Sequence, residues 1–491
     1  MKPAACRAGV IVISMAALGL GCAGFPAKQK PVRLPETAPL DGAEFGGGGE
    51  WPASDWWKRY QDPTLDQLIA LGLANSPSLA TASARFDTAR QSVRLAAAAA
   101  GAQVTANADI NRQRLSENGI FPPQLLGFTW YNQVDLGLQA SYTFDWWGKQ
   151  RYAVESAMDQ AHAAQADRSA AALMLASSIA DAYFGWQSDQ NRLTLARENE
   201  DTIQSEGKVT AARVRAELDF ADDINRSDLA LAAAREQMAA LEGSARLRIV
   251  ALAALAGRSA AELPALTRKA LPSFPGPLPD NVKIDLISRR ADITASRWRV
   301  EAAERNLDSA RADFYPDVTI NALAGLSSID IGKLFEYGSR VPQAGAAIHL
   351  PIFDAGRLKA RYGGAQAAID AAVSNYQDSV ISAARDVAAQ AATRAQIESQ
   401  RRQRVLEVDA ALRIKDTASA RMWQGIADSR TVLKATESWT LQRDALLQLD
   451  AAALSADVAL QRALGGGYES RQKLANSSAR PAVAPSPAAT P

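Results

Sequence analysis

The sequence has few of the residues that build metal sites and disulfides, with two Cys and two His among 491 residues. A structural zinc site needs about four ligands, and His162 and His349 are isolated from one another. Charge is nearly balanced, at 54 Lys and Arg against 53 Asp and Glu, so nothing favours nucleic acid as a partner. The sequence also lacks a Gly-rich phosphate loop, a catalytic triad order and metal-ligand spacing. We therefore predict no enzyme activity, no metal and no cofactor.

Residues 1–21 have the layout of a secretory signal peptide. Lys2 and Arg7 precede an apolar run from Gly9 to Gly21, and that run is too short to span a bilayer. We predict that the chain is exported and that this segment is removed.

Cys22 follows the signal directly and would be the only thiol of the mature chain, because Cys6 lies inside the removed segment. Disulfides within the chain are therefore excluded. The stretch Gly19 to Cys22 resembles a bacterial lipoprotein signal, in which the Cys is acylated; the alternative is ordinary cleavage that leaves Cys22 unmodified. Ala23 rather than Asp follows, which by the same resemblance favours sorting to the outer membrane. Residues 22–50 are rich in Pro and Gly and are predicted to be a lipid-anchored linker.

A long heptad pattern occurs twice in the chain. Between Val154 and Trp186, apolar or small residues recur at alternating steps of four and three, interrupted only by Gln165 and Arg168. The same pattern returns between Ile369 and Ile397, where Ile369 stands 208 positions after Ala161. Upstream of the heptads the offset becomes 214, so the two copies differ by a six-residue length change, which we place in a loop between Asn107 and Gly148. We predict an internal duplication of a long coiled helix.

Four segments alternate apolar and polar residues with period two, as membrane-spanning strands do. They are Val104 to Asn111, Val134 to Phe144, Val318 to Leu326 and Gln343 to Phe353. A soluble antiparallel sheet with one wet face would show the same pattern. Four strands cannot close a barrel, and an open edge in hydrocarbon costs several kcal/mol per unpaired backbone group. Either several chains share one barrel, or these strands are not in a membrane.

The helical pattern between Gly148 and Arg215 contains no Pro, so it predicts one continuous helix about 100 Å long. A second helix, from about Asp222 to Ala256, is predicted to return antiparallel to it. The expected organisation is then a first repeat over 51–263, a Pro-rich linker over 264–280, a second repeat over 281–465 and a disordered Ala, Pro and Ser-rich tail over 466–491.

Five short motifs follow one another along the chain: Trp56-Trp57…Tyr60…Asp62-Pro63, Phe144 to Lys149, Leu286 to Ile293, Phe314-Tyr315-Pro316 and Leu350 to Arg357. In this order they resemble the TolC-type outer-membrane efflux lipoproteins of the NodT and OprM branch. The sequence departs from the family at Ala102 and Ala291, where Pro is usual, and at Glu217, where Gly is usual.

The resemblance implies a mainly helical fold with membrane strands, in which long antiparallel helices form an α-barrel. Three chains, each with four strands, would complete a 12-stranded β-barrel in the lipid of the outer membrane, while the helices extend into the periplasm. The implied role is the exit duct of a tripartite efflux pump, docked through a periplasmic adaptor to an inner-membrane transporter. A duct for type I protein secretion, or a non-channel coiled-coil lipoprotein, remains the alternative.

The family also implies a gate at the periplasmic end, where each long helix turns into its return helix. Here those turns fall near 217–223 and 425–434. The candidate gate residues are Asp222, Asp223, Asp428, Arg430 and Lys434. Carboxylates around a narrow lumen would attract cations, and Lys434 would oppose that field or pair with a nearby Asp. The alternative is that Arg430 and Lys434 lie on the outer, solvated face.

Overall fold

The structure is a computed structural model that describes residues 33–35, 37, 49–118, 123–272 and 282–469. The predicted signal peptide, Cys22 and most of the linker over 22–50 lie outside the described residues. So do residues 273–281 of the Pro-rich segment and the tail from residue 470 onward.

The described part is mainly helical, and the two longest helices have 67 residues each. The helices are α1 Pro63–Asn75, α2 Pro77–Ala99, α3 Pro123–Leu126, α4 Lys149–Arg215, α5 Ala221–Ala256, α6 Val282–Arg289, α7 Ala291–Ala312, α8 Arg357–Trp423 and α9 Ser429–Ala463. A 3-10 turn over Trp56–Tyr60 precedes α1. The predicted long helices and their return helices are confirmed as α4 with α5 and α8 with α9. Among the described residues, no helix is both long enough and apolar enough to cross a membrane.

Four antiparallel strands form one sheet in the order β1-β2-β3-β4. The strands are β1 Gln103–Arg114, β2 Trp130–Phe144, β3 Asp317–Ser328 and β4 Arg340–His349. The fourth strand begins three residues earlier than predicted and ends four residues earlier. It ends before Pro351 because Pro cannot donate to the ladder, whereas Pro342 is accommodated because β4 lies at a sheet edge.

The chain divides into two compact units. Among the described residues, one consists of 33–34, 86–118, 123–163 and 296–375 and contains the sheet; the other consists of 35, 37, 49–85, 164–272, 282–295 and 376–469. Each unit takes segments from both halves of the duplicated sequence. The repeats predicted over 51–263 and 281–465 are therefore units of sequence, and neither is a compact body by itself.

The second unit has an apolar core built where α1 packs against the long helices. Leu65, Leu68 and Ile69 of α1 are buried with Ile179 and Tyr183 of α4. These α1 residues are spaced three and four apart, so they lie on one face of the helix. Burial of apolar surface stabilises a fold by about 25 cal/mol per Å², so burying this face holds α1 against the long helices.

The Asp62-Pro63 motif begins α1 and ties it to α4. Asp62 caps the helix by accepting a hydrogen bond from the Thr64 amide at 3.0 Å, and Pro63 takes the first helical position. Tyr183 Oη and Lys269 Nζ each donate to Asp62 at 2.6 Å. Burial raises the pKa of Asp62, but the hydrogen bonds from Lys269, Tyr183 and Thr64 outweigh it and hold the pKa below its usual value.

A second motif residue, Tyr60, reaches a buried carboxylate. Tyr60 Oη donates to Asp457 Oδ2 at 2.6 Å, and Asp457 is fully buried. Arg59 and Arg394 lie 4.0 Å from the same carboxylate. Arg394 occupies a heptad position of the second long helix, three residues before Ile397, and its contact with the buried carboxylate accounts for a charged residue there.

Candidate functional site

The strand register brings most of the large apolar side chains of the four strands to one face of the sheet. The exceptions, on the other face, are Tyr131, Leu323 and Val341. Leu138 of β2 lies opposite Ala106 of β1 and Ala324 of β3, while Ile348 of β4 lies opposite Val318. Because side chains alternate between the two faces, in-register pairing keeps each set together. We call these two faces the apolar face and the polar face.

Charged residues of the strands are divided between these faces by sign. The acidic residues Asp109, Asp135 and Asp317 lie at polar-face positions of the register. Three arginines, by contrast, lie at apolar-face positions of the register, close to the ends where the strands meet loops. They are Arg112, Arg114 and Arg340. A channel whose lumen is lined by the polar face would therefore carry negative charge from its strands.

The two helix turns repeat one backbone geometry at the 208-residue offset. Leu218 N donates to Arg213 O and Ile426 N to Arg421 O, both at 2.9 Å. The residue before each donor is left-handed, with φ of 58° at Glu217 and 73° at Gly425. This is the Schellman arrangement, which normally selects Gly. Glu217 therefore adopts the left-handed backbone conformation of this turn, which is strained for a residue that carries a side chain.

This pair of turns predicts opposite effects of glycine. Glu217→Gly removes the left-handed penalty and should stabilise the protein by about 1 kcal/mol, whereas Gly425→Ala should destabilise it by a similar amount. No neighbouring atom would contact a Cβ at Gly425, so the backbone conformation alone decides the result. The midpoint of thermal unfolding, followed by circular dichroism, should rise for the first variant and fall for the second. Shifts of the same sign would contradict this account.

An ion-pair network joins the two turns within the second unit. Arg213 holds Asp219 with two hydrogen bonds, at 2.9 and 3.1 Å. Arg430, at the start of α9, donates to the same carboxylate at 3.2 Å and lies 3.9 Å from Glu206 of α4. Asp219 is therefore shared by an arginine of its own turn and an arginine of the other repeat.

The Asp219 carboxylate stays ionised in this setting. Hydrogen bonding to Arg213, followed by the charges of Arg213 and Arg430, lowers its pKa below the ordinary value of 3.8. A carboxyl group with a lowered pKa contributes stability above its unfolded pKa, and that contribution is lost as pH falls through the folded pKa. The link between the turns is thus present at neutral pH and lost only in strong acid.

Among the five predicted gate residues, all within the described part of the chain, Arg430 is the one that forms a hydrogen bond or ion pair from one turn to the other. Asp222 and Asp223 pair with Arg226 at 2.9 and 3.1 Å, and Asp428 caps α9 through the Thr431 amide at 3.0 Å. Lys434 is exposed and forms no ion pair with any residue in the described part of the chain.

The residues that sequence reasoning missed are Asp219, Arg213 and Glu206. Arg213 carried a signal, because it matches Arg421 at the repeat offset, but Asp219 matches Ala427 and carried none. The pair Asp219–Arg430 joins the two turns, and the positions equivalent to it at the repeat offset are Ala427 and Asp222, so a comparison of the repeats cannot find it.

Both turns also expose large apolar side chains. Phe220 is 83% and Trp423 86% exposed, and Leu218 and Ile426 are exposed beside them. Such residues are costly at a solvated helix end and are typical of a surface that binds another protein. In the second unit they lie next to the ion-pair network at the same turns.

Comparison with known proteins identifies a family and relatives that this chain resembles. The chain matches the outer membrane efflux protein family over residues 68–258 and 284–466. It is 32% identical over 426 residues to the multidrug resistance outer membrane protein MdtP of Escherichia coli strain K12, covering 85% of this chain and 87% of that protein.

Two solved structures have the same fold. The outer-membrane channel OprN superimposes with a TM-score of 0.81 at 27% identity, covering 90% of this chain and 99% of that one. The outer membrane protein VceC of Vibrio cholerae gives 0.75 at 32% identity, covering 85% and 100%.

These likenesses confirm the predicted fold class, the outer-membrane location and the role as an outer-membrane efflux duct. The proteins matched are channels rather than enzymes. The duplicated long helices, the four strands in register and the family match together show that this chain belongs to the outer membrane efflux protein family.

Proposed function

We propose that three copies of this chain form one channel, with twelve strands in the outer membrane and their long helices in the periplasm. The observation that supports this most directly is the pair of open edges at β1 and β4 of a sheet with one apolar face. Unpaired strand edges are not tolerated in hydrocarbon, so the sheet requires neighbouring copies to pair with. A barrel of twelve strands encloses a lumen lined by the polar face.

Two measurements test the channel. The purified protein should migrate as a trimer on a gel without heating and as a single chain after boiling. Reconstituted in planar bilayers, it should give unitary conductance steps. A trimer without conductance would support the non-channel spacer, and a monomer without conductance would overturn the proposal.

We also propose that the exposed apolar residues of the turns dock a periplasmic adaptor, which connects the channel to an inner-membrane transporter. Phe220 and Trp423 supply aromatic side chains of the kind that dominate protein interfaces. Replacing both with Ser should reduce adaptor binding in a pull-down while trimer formation and conductance remain unchanged.

The proposed cargo is small molecules, such as drugs, organic compounds or metal ions, rather than proteins. This follows from similarity to MdtP, whose name describes multidrug resistance. Deletion of the gene should increase sensitivity to drugs, dyes or other organic compounds. Loss of a secreted protein without any change in drug sensitivity would favour the type I secretion duct instead.

We propose that the periplasmic end of the channel is closed by the candidate gate residues, Asp222, Asp223, Asp428, Arg430 and Lys434. Exposed Lys434 is near Glu437, whose pKa is raised by burial and by Glu206 and lowered by Lys434. Lys434→Asp should therefore add repulsion at the turns, increase conductance of the isolated trimer and shift its selectivity toward cations. Bilayer recordings with unchanged selectivity and conductance would place Lys434 outside the lumen.

We further propose that Cys22 is acylated after removal of residues 1–21, leaving residues 22–50 as a tether to the folded repeats. Cys22→Ser should abolish labelling with radioactive palmitate but still allow trimers, because the strands provide a larger membrane attachment. Unchanged labelling of the variant would contradict the assignment.

A further inference from the structure

The apolar face of the sheet has two distinct ends. The strands join helices at one end and loops at the other, since β1 follows α2 and β4 precedes α8. In an outer-membrane protein whose helices are periplasmic, the loop end is extracellular. The extracellular end of the apolar face therefore lies in the outer leaflet of the membrane.

Aromatic residues on the apolar face mark the two membrane interfaces. Trp130 lies at the loop end of β2, and Tyr142 and Phe144 lie at its helix end. Trp130 and Tyr142 are twelve residues apart, or about 40 Å along a strand, which a typical tilt of ~40° reduces to ~30 Å across the membrane. This matches the thickness of the hydrocarbon core.

All three strand arginines lie on the apolar face at the loop end. Arg112 is paired in register with Asn132, Arg114 with Trp130 and Arg340 with Leu326. Arginine on a lipid-facing surface is unfavourable in hydrocarbon but tolerated near an interface, where its guanidinium suits a phosphate group.

The arginines make few contacts that would neutralise them. Arg112 lies over the Trp130 ring at 5.7 Å and Arg340 over the Tyr337 ring at 4.6 Å. Arg114 pairs with Glu117 at 3.2 Å, and that pair is more than half exposed on both sides. Two of the three positive charges thus rest against aromatic rings.

An apolar trough on the same face runs to Arg340. It has a volume of about 550 Å³ and is lined mainly by Ala, Gly and Leu residues, with contributions from all four strands. Arg340 is the only charged residue among the described residues that line it. A trough of this volume is within the usual range for small ligands, and its apolar lining with a cationic end suits an acyl chain attached to a phosphate.

We propose that Arg112, Arg114 and Arg340 bind the phosphate groups of the phosphorylated glycolipid in the outer leaflet, with an acyl chain in the adjoining trough. This rests on the proposed trimer, because β4 of one copy then lies beside β1 of the next. In that arrangement Arg340 of one copy and Arg112 and Arg114 of its neighbour share one rim of the barrel, so each site forms at a subunit boundary.

The test uses purified full-length trimer and lipid A, either with both phosphates or fully dephosphorylated, with bound lipids counted by native mass spectrometry. The wild-type trimer should prefer the phosphorylated form. Each Arg→Gln change should weaken its binding about fivefold, so R112Q/R114Q/R340Q should lose on the order of 100-fold. Binding of the dephosphorylated form should change little.

A matched triple variant, R85Q/R90Q/R94Q, removes the same charge from exposed positions of α2 and should bind lipid as the wild type does. Lysine at the three strand positions should retain part of the affinity. Equal loss in both Gln triples, or no preference for phosphorylated lipid, would overturn the inference. Complete displacement by millimolar inorganic phosphate would also overturn it, since it would indicate a free-anion site.

Two controls separate this inference from the proposed channel. If the triple variant fails to form trimers, R340Q alone is measured, because it leaves β1 unchanged. Trimers with normal conductance and unchanged lipid binding would refute only the lipid site. Wild-type protein with neither trimers nor conductance would refute the channel itself.

Discussion

Leu136→Arg should prevent assembly of the trimer in the outer membrane. Leu136 lies near the middle of β2 on the apolar face, opposite Ala108 and Leu326. An arginine at the middle of a lipid-facing strand costs ~2–4 kcal/mol, which is a large share of the stability of most proteins. The measurement is the amount of heat-modifiable trimer in outer-membrane fractions. Val104, Val318 and Ile348 share this face but lie nearer the strand ends, so arginine there should have a smaller effect.

Thr105→Arg is the matched control on the polar face. Thr105 is exposed and lies opposite Gln139, so an added guanidinium would face the water of the lumen. We expect normal trimers and a shift of selectivity toward anions, because three positive charges would join the acidic residues of the polar face. Equal loss of trimers in both variants would contradict the assignment of the two faces.

Arg430→Ala should open the isolated channel and raise its conductance several-fold. The change removes the 3.2 Å hydrogen bond to Asp219 and the 3.9 Å ion pair to Glu206. These are contacts between the start of α9 and the helix and turn of the first repeat. If closure depends on holding the two turns together, their loss should favour the open state at neutral pH. Single-channel recording in planar bilayers measures the effect.

Arg213→Ala is the control for this link. Arg213 also bonds Asp219, but the two residues belong to the same turn, so its loss leaves the contact with Arg430 in place. Conductance should change little. The lowered pKa of Asp219 further predicts that wild-type conductance stays constant as pH falls until the carboxylate protonates below its ordinary value of 3.8. Equal opening by both arginine variants would show that the link between the repeats does not control the gate.

Periodicity predicted the elements of the fold because it reflects local geometry. A heptad of apolar residues is sufficient to predict a helix, and strict alternation is sufficient to predict a strand. For this reason the first long helix, predicted between Gly148 and Arg215, agrees with α4 to within a residue, and the second, predicted as its repeat without bounds, is present as α8. The fourth strand was placed less well, because its alternation continues past His349 while Pro351 ends the hydrogen-bonded ladder.

The candidate gate was predicted less completely than the fold. Composition and family resemblance pointed to charges at the turns, and Arg430 is in the link between them. Its partner Asp219 has no equivalent in the other repeat, and its contact with Arg430 spans 211 residues. No local pattern encodes a contact at that separation.

From the amino-acid sequence we could predict the duplication, the four strands, the long helices with their return helices, and the alternation of apolar and polar residues along the strands. These follow from side-chain order, which a backbone with fixed period converts directly into faces. We could not predict from the sequence which strand positions pair, that Asp219 is shared between two turns, or that the arginines lie together at one end of the sheet; these features appear in the folded structure. Each of these depends on which distant segments pair, and that is determined by packing and backbone hydrogen bonding across the whole chain rather than by any local pattern.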